Sequence, residues 1–368
     1  KMGVKFTREN HHLSINTRDL QPINPDSSLV AQIRASVILV GPLLARFGKI
    51  TIPHPGGCLI GSRPIDLHLW ALKQLGVTVT EKNGLYQFYQ TAPLSKEVTI
   101  SFPKISVGAT ENVILYACLQ EQPVTIENAA IEPEIMDLIE FLKKAGVQIE
   151  VTNRKIAIFG KSHLRGVTHR VVPDRIEAGT FIILAATTKN SLKITEICPQ
   201  HLTALLGKIK EMGVGFDLGE DFIYIKKPRC FDRDKPNKIL AAEISTAEYP
   251  GFPTDLQPSM GVLLSQATGR SLIKENLFEN RLGYLEELQK MGAKINQLGP
   301  KEAEIIGPTP LSGAKIHSLD LRAGATQLIA ALAASGTTEI LQAENIDRGY
   351  EKIEERLSTI GAQIRRVK

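Results

Sequence analysis

Apolar and polar positions follow one recurring order along this chain. A stretch with helical spacing ends in a glycine, and a short run of strict alternation follows. The order is plain in Leu72-Lys73-Gln74-Leu75-Gly76-Val77-Thr78-Val79 and again in Leu142-Lys143-Lys144-Ala145-Gly146-Val147-Gln148-Ile149. It returns over residues 209–214, 288–295 and 357–364, and Lys1-Met2-Gly3-Val4-Lys5-Phe6 carries its tail end. Apolar residues three and four apart mark one face of a helix, and the glycine supplies the left-handed residue that closes it. The alternation predicts a half-buried strand, which pairs such as Asn83-Gly84 turn into a hairpin.

The marker glycines stand at 3, 76, 146, 213, 292 and 361, with spacings of 73, 70, 67, 79 and 69 residues. A period of that length exceeds the usual solenoid unit. One full period reads as a helix over residues 111–119, a strand over 123–127, a helix over 133–145 and a hairpin over 147–159. Six such units predict two domains of three units each. The expected division falls within residues 160–173, giving domains of 1–165 and 166–368. By the same arithmetic most of the first unit belongs before Lys1, so the first copy is expected to be truncated in this chain.

Composition changes this picture little. At 368 residues the chain suits two cores better than one. Its net charge of +5 is spread among interspersed acids and bases, with no block suited to nucleic acid. The cysteines (Cys58, Cys118, Cys198, Cys230) form no CxxC pair, which predicts reduced thiols in a cytoplasmic protein. Apolar runs such as residues 37–44 and 181–186 are too short for a bilayer, and the opening residues carry no apolar leader core. No metal-ligand spacing, P-loop or GxGxxG occurs, so neither a metal nor a cofactor is expected. The adjacent His11 and His12 read as a hairpin turn, Cys118 as core and Trp70 as packing.

Chemistry concentrates in Pro55-Gly56-Gly57-Cys58-Leu59-Ile60-Gly61-Ser62-Arg63-Pro64-Ile65-Asp66-Leu67-His68. Glycines let such a loop fold closely over a ligand, and a nearby guanidinium eases loss of the Cys58 proton. Read alone, it is equally a surface loop with an incidental cysteine. Asp255, after Pro253-Thr254, suits proton transfer at a helix start, or else simply caps that helix. The string Lys104-Ile105-Ser106-Val107-Gly108-Ala109-Thr110 leads to a helix expected near Glu111. Its backbone N–H groups suit a diphosphate, or cap the helix and nothing more. Arg34, Arg63, Arg322 and Arg348 suit anionic groups through bidentate pairing, or form surface ion pairs.

The loop at 55–68, the string Tyr249-Pro250-Gly251-Phe252-Pro253-Thr254-Asp255-Leu256-Gln257, the string Phe278-Glu279-Asn280-Arg281 and the string Ile346-Asp347-Arg348-Gly349-Tyr350-Glu351 occur in that order. Together they resemble the UDP-N-acetylglucosamine 1-carboxyvinyltransferases, enolpyruvyl transferases of peptidoglycan synthesis, over essentially the whole chain. The resemblance implies a two-domain inside-out α/β barrel of six units. It implies transfer of the enolpyruvyl group of phosphoenolpyruvate to the 3-hydroxyl of UDP-N-acetylglucosamine, with release of phosphate. Cys58 matches the family's general acid, which also adds to phosphoenolpyruvate, and Asp255 its catalytic aspartate beside the sugar hydroxyl. Arg34, Arg63, Arg348 and, more weakly, Arg322 match arginines of the active site. Pro64, Ile65, Asp66, Leu67, Lys104, Ile105, Ser106, Val107, Gly108 and Leu277 match contacts to the nucleotide sugar. The implied partners are these two small molecules, with no nucleic acid and no membrane.

The family's early lysine-asparagine pair, which contacts phosphoenolpyruvate, has no counterpart here. Two expectations follow: this chain turns over weakly or not at all, and roughly sixty upstream residues, about one unit, restore activity. The strand expected over 363–367 is left with an open edge. Two other readings stand beside the main one: the sister transferase acting on shikimate 3-phosphate, and a truncated paralogue that binds nucleotide sugar without catalysis. The Gly-Gly-Cys loop and Asp66-Leu67-His68 favour the nucleotide-sugar enzyme.

Overall fold

The marker glycines sit where a left-handed backbone is required. Gly3, Gly76, Gly146, Gly213, Gly292 and Gly361 all have positive φ, between 77° and 107°. Any residue with a Cβ would be strained there, so each helix ends where the sequence pattern ends. The computed structural model describes residues 2–21, 24–56, 64–90, 92, 94–227 and 238–367.

The chain divides between Val171 and Val172 into two compact units. In the first unit, three sheets form among the described residues. Lys5–Glu9 pairs with His12–Asn16, and Leu85–Tyr89 lies between Lys49–Pro53 and Thr78–Lys82. The third sheet runs Val98–Ser101, Val124–Glu127, Lys155–Phe159, Gln148–Thr152. The second unit repeats the scheme. Phe222–Ile225 lies between Leu192–Thr195 and Phe216–Leu218. A four-stranded sheet runs Glu243–Ser245, Gly269–Lys274, Glu302–Gly307, Lys294–Gly299, and Lys315–His317 pairs with Glu339–Leu341.

The repeat survives at the level of single residues. Three sheets contain a parallel strand pair, and in each an isoleucine faces an isoleucine: Ile100 with Ile126, Ile244 with Ile273, Ile316 with Ile340. All but Ile340 are fully buried, and each such burial stabilises by roughly 2 kcal/mol. Five of the six marker glycines lead into an antiparallel hairpin. Residues after Gly361 are the exception. No strand forms over 363–367, because a strand needs a partner's backbone and none of the described residues supplies one there.

Helices fill the middle of each unit and sheets lie outside them. In the second unit Arg175–Thr187, Gln257–Ser265 and Leu321–Ala333 pack on one another and are buried on nearly every side. Small residues permit the approach: a Cβ at Gly179 would stand 2.5 Å from Leu256 Cδ1. In the first unit Val40–Phe47 packs against Val107–Ala117. A Cβ at Gly41 would collide with the Asn112 backbone, so this crossing too requires glycine. The fold is thus α/β, with a set of buried helices at the middle of each unit and further helices, such as Pro133–Ala145, exposing one face. The segment after the third hairpin stays with the first unit, where Arg165 donates to Lys144 O at 2.7 Å and His169 Nε2 lies 2.9 Å from Asp137.

Candidate active site

The candidate residues fall into two groups, one in each unit. In the first unit the helix beginning at Asp66 follows Pro64 and the buried Ile65, so Asp66 is exposed and Leu67 half-buried. Arg34 opens a short 3-10 turn, Arg34–Leu39, and its Nη2 donates to Pro64 O at 2.9 Å. That bond ties the arginine to the start of the neighbouring helix. Cys58 and Arg63, the acid and one arginine of the expected site, lie outside the described residues.

The second element of this group is the head of Val107–Ala117. The helix starts at Val107, not near Glu111 as the apolar pattern suggests. Ser106 is its N-cap: the Ser106 hydroxyl accepts from Ala109 N at 3.3 Å, and Ser106 O accepts from Thr110 N at 3.0 Å. Capping of this kind extends a helix by a turn beyond its apolar periodicity. Among the described residues, the N–H groups of Val107 and Gly108 donate to no protein acceptor. No acidic side chain stands in the first turn, while Lys104 is exposed just before it and Ile105 packs on the core. Two open N–H groups at the positive end of a helix dipole suit a diphosphate.

The second unit holds the carboxylate. Asp255 is not a helix cap: Gln257–Ser265 begins after Leu256 without a side-chain cap. Its oxygens go to two arginines instead, Oδ1 to Arg281 Nη2 at 2.7 Å and Oδ2 to Arg322 Nε at 3.1 Å. The Asp255 side chain keeps 37% of its exposure, while that of Arg281 keeps 2%. Arg322 is the second residue of Leu321–Ala333, whose N-cap Asp320 accepts from Arg322 N at 2.7 Å. Its Nη1 donates to Tyr350 Oη at 3.2 Å, and Tyr350, fully buried, bonds Thr180 Oγ1 at 2.8 Å. Burial opposes the charge on Arg322, yet Asp255, Tyr350 and Asp174 hold its pKa above the ordinary arginine value.

Glu275 links the rest of this group. Buried to 1% exposure, it accepts from Thr254 Oγ1 at 3.0 Å and from the backbone N–H groups of Leu277 and Phe278 at 2.9 and 3.1 Å. The residue before Asp255 and the Leu277 backbone are thereby fixed to one carboxylate. Arg348 ends the 3-10 turn Ala343–Arg348 and is exposed. Its neighbour Asp347 is clamped by Arg366 at 2.7 and 2.6 Å.

Sequence reasoning missed Arg281 as a partner of Asp255 and Tyr350 as a partner of Arg322, and missed Glu275 altogether. A signal existed for Arg281, which closes the Phe278-Glu279-Asn280-Arg281 string. Among the described residues no group of His, Cys, Asp or Glu could hold a metal, and no helix is long and apolar enough to cross a membrane. Cys118 is buried at the end of its helix, and burial pushes its thiol up to about 11.

Comparison with known proteins bears on the chain as a whole. A family model described as EPSP synthase (3-phosphoshikimate 1-carboxyvinyltransferase) matches residues 1–357. The UDP-N-acetylglucosamine 1-carboxyvinyltransferase of a Nitratiruptor species is 42% identical, over 100% of this chain and 86% of that protein. The enzyme of the same name from Pelagibacter ubique is 45% identical over 92% of this chain and 79% of that protein. Among solved structures, the enolpyruvyl transferase NikO from Streptomyces tendae shares the fold at a TM-score of 0.85, with 24% identity, over 99% of this chain and 85% of that one. The chain belongs to the enolpyruvyl transferase family, and within it to the UDP-N-acetylglucosamine 1-carboxyvinyltransferases.

Proposed function

We propose that this protein transfers the enolpyruvyl group of phosphoenolpyruvate to the 3-hydroxyl of UDP-N-acetylglucosamine and releases phosphate, the opening step of peptidoglycan synthesis. The observation that carries the reading is the Asp255 carboxylate, held by Arg281 and Arg322 yet partly open to solvent. Each oxygen is fixed by a cationic donor, so the carboxylate is oriented before substrate arrives. It takes the proton of the sugar hydroxyl as that oxygen bonds to carbon 2 of phosphoenolpyruvate. Carbon 3 gains a proton in the same addition, for which Cys58 is the acid. Loss of phosphate from carbon 2 and of a proton from carbon 3 then restores the double bond. The same thiol can add to phosphoenolpyruvate and leave a pyruvate-derived adduct on Cys58.

The carboxylate and phosphate of phosphoenolpyruvate are assigned to Arg34, Arg63, Arg322 and Arg348, because the planar fork of arginine suits such groups. The head of Val107–Ala117 takes the diphosphate of the nucleotide sugar, with Lys104, Ile105 and Ser106 beside it. Pro64 to Leu67 and Leu277 bear on the remainder of that substrate. Both substrates are small anions, and the reduced thiols agree with a cytoplasmic location. In this reading the domain of residues 1–165 carries the cysteine loop and that of 166–368 the catalytic aspartate.

Titration calorimetry with UDP-N-acetylglucosamine and with shikimate 3-phosphate tests the acceptor. Binding of the nucleotide sugar alone supports the proposal. Binding of shikimate 3-phosphate alone would transfer the reading to the sister enzyme. A phosphate-release assay with phosphoenolpyruvate that stays silent with either acceptor, on the chain carrying its upstream residues, would leave a binding protein.

A further inference from the structure

His68 is buried to 7% exposure on Asp66–Gln74, and its edge meets the diphosphate helix. A Cβ built on Gly108 would stand 3.1 Å from His68 Cε1 and 3.2 Å from Nε2. The imidazole therefore occupies the space a side chain would need, beside one of the two open N–H groups. Its one hydrogen bond among the described residues is on the other nitrogen, where Asn112 Nδ2 approaches Nδ1 at 2.8 Å.

The surroundings of Asn112 decide which ring nitrogen carries the proton. Its Oδ1 accepts from Gly41 N at 2.7 Å, so the amide cannot be turned the other way. Its Nδ2 donates to Val37 O at 2.9 Å and has one hydrogen left, which points at His68 Nδ1. Nδ1 must then accept, and the proton sits on Nε2. A cationic ring would oppose N–H to N–H at Asn112. Burial, and after it the Arg34 charge, push the ring's pKa down to about 4.

We infer that His68, held in its Nε2–H tautomer by Asn112, is a third donor beside the Val107 and Gly108 amides for a diphosphate anion at the head of Val107–Ala117. The helix offers two backbone donors, and the imidazole adds a side-chain donor from a different helix. A fixed neutral donor keeps its direction where a charged, mobile lysine would not. Gly108 is required because any larger residue would displace the ring. His68 thereby links the Asp66-Leu67 pair to the diphosphate site. The inference rests on the diphosphate reading above and adds a residue to it.

Nitrogen-15 spectra of the imidazoles and backbone amides, recorded on this chain, test it with UDP and with inorganic pyrophosphate as probes. Without ligand, His68 should show a proton on Nε2 and none on Nδ1 from about pH 6 to 8. A proton on Nδ1 overturns the inference. UDP should move His68 Nε2 together with the Val107 and Gly108 amides. The same movement with pyrophosphate makes the diphosphate itself the ligand, whereas movement with UDP alone requires the nucleoside. Amides that move while Nε2 does not would overturn the role of His68 and leave the diphosphate reading standing. If nothing moves with either probe, the diphosphate reading fails as well. His68→Leu should weaken UDP binding roughly tenfold or more, the cost of one hydrogen bond to a charged group. His68→Gln, which restores an N–H donor, should recover most of that loss. Equal affinity in both variants contradicts the inference.

Discussion

Arg281 Nη2 lies 2.7 Å from Asp255 Oδ1, with the guanidinium almost sealed from solvent and the carboxylate more than a third exposed. The asymmetry sets what each residue loses when the other is removed. Without Asp255, a charge with 2% exposure is stranded, and its Nε already has no partner among the described residues. Without Arg281, the carboxylate keeps Arg322 and solvent.

Asp255→Ala should therefore destabilise the second unit by about 3 kcal/mol, the cost of a buried charge left unpaired. Arg281→Met should cost less, and the double variant should resemble Arg281→Met rather than the sum. Urea unfolding of the four proteins measures this. Additive losses would mean that the pair does not couple.

Glu275 holds Thr254 to the Leu277 and Phe278 backbone. Glu275→Gln replaces one accepting oxygen by a donor and sets it against an N–H or a hydroxyl. The expected result is a KM for the nucleotide sugar raised about tenfold, with a smaller change in kcat. A change in kcat alone would assign Glu275 to the chemistry instead.

Glu111 stands on the helix Val107–Ala117 with its carboxyl raised from 4.5 to about 7 by burial, and further by Glu134 and Glu132. The raised value means that folding prefers the neutral form. The associated stability is complete below 4.5 and is lost as pH rises through about 7. Glu111→Gln should match the parent near pH 4 and exceed it by up to about 3 kcal/mol near pH 8. Thermal or urea unfolding at the two values checks this, and an advantage independent of pH would contradict it.

The thiols should separate by rate of alkylation. Cys118 is buried and its thiol is raised to about 11, so it should react slowest among Cys58, Cys118 and Cys198. Cys198 is half-buried. Cys58 should react fastest and be protected by phosphoenolpyruvate. Peptide mass spectrometry over a labelling time course reads all three. Equal rates for Cys58 and Cys118 would remove the case for a catalytic thiol.

Much of the fold was legible because it is written locally. A helix that ends in glycine and a hairpin that turns at Asn83-Gly84 depend on neighbours a few residues away, and both positions have positive φ. The start of Val107–Ala117 was read too late, since its first turn is set by the Ser106 cap and not by apolar spacing. The strand expected after Gly361 has the right alternation and no partner among the described residues. Asp255 could be picked out but not its environment. Its partners stand 26 and 67 residues away, and no local pattern encodes that meeting. Asn112 and His68 left one trace, an amide and an imidazole on apolar helix faces.

Catalysis by the clamped carboxylate is tested most directly by product formation. The chain and its Asp255→Ala variant are incubated at high concentration with phosphoenolpyruvate and UDP-N-acetylglucosamine, and the sugar nucleotide is followed by mass spectrometry. Enolpyruvyl product should accumulate with the parent chain, even if slowly, and fall by about a hundredfold or more without Asp255. Equal accumulation of product with the variant would contradict the account.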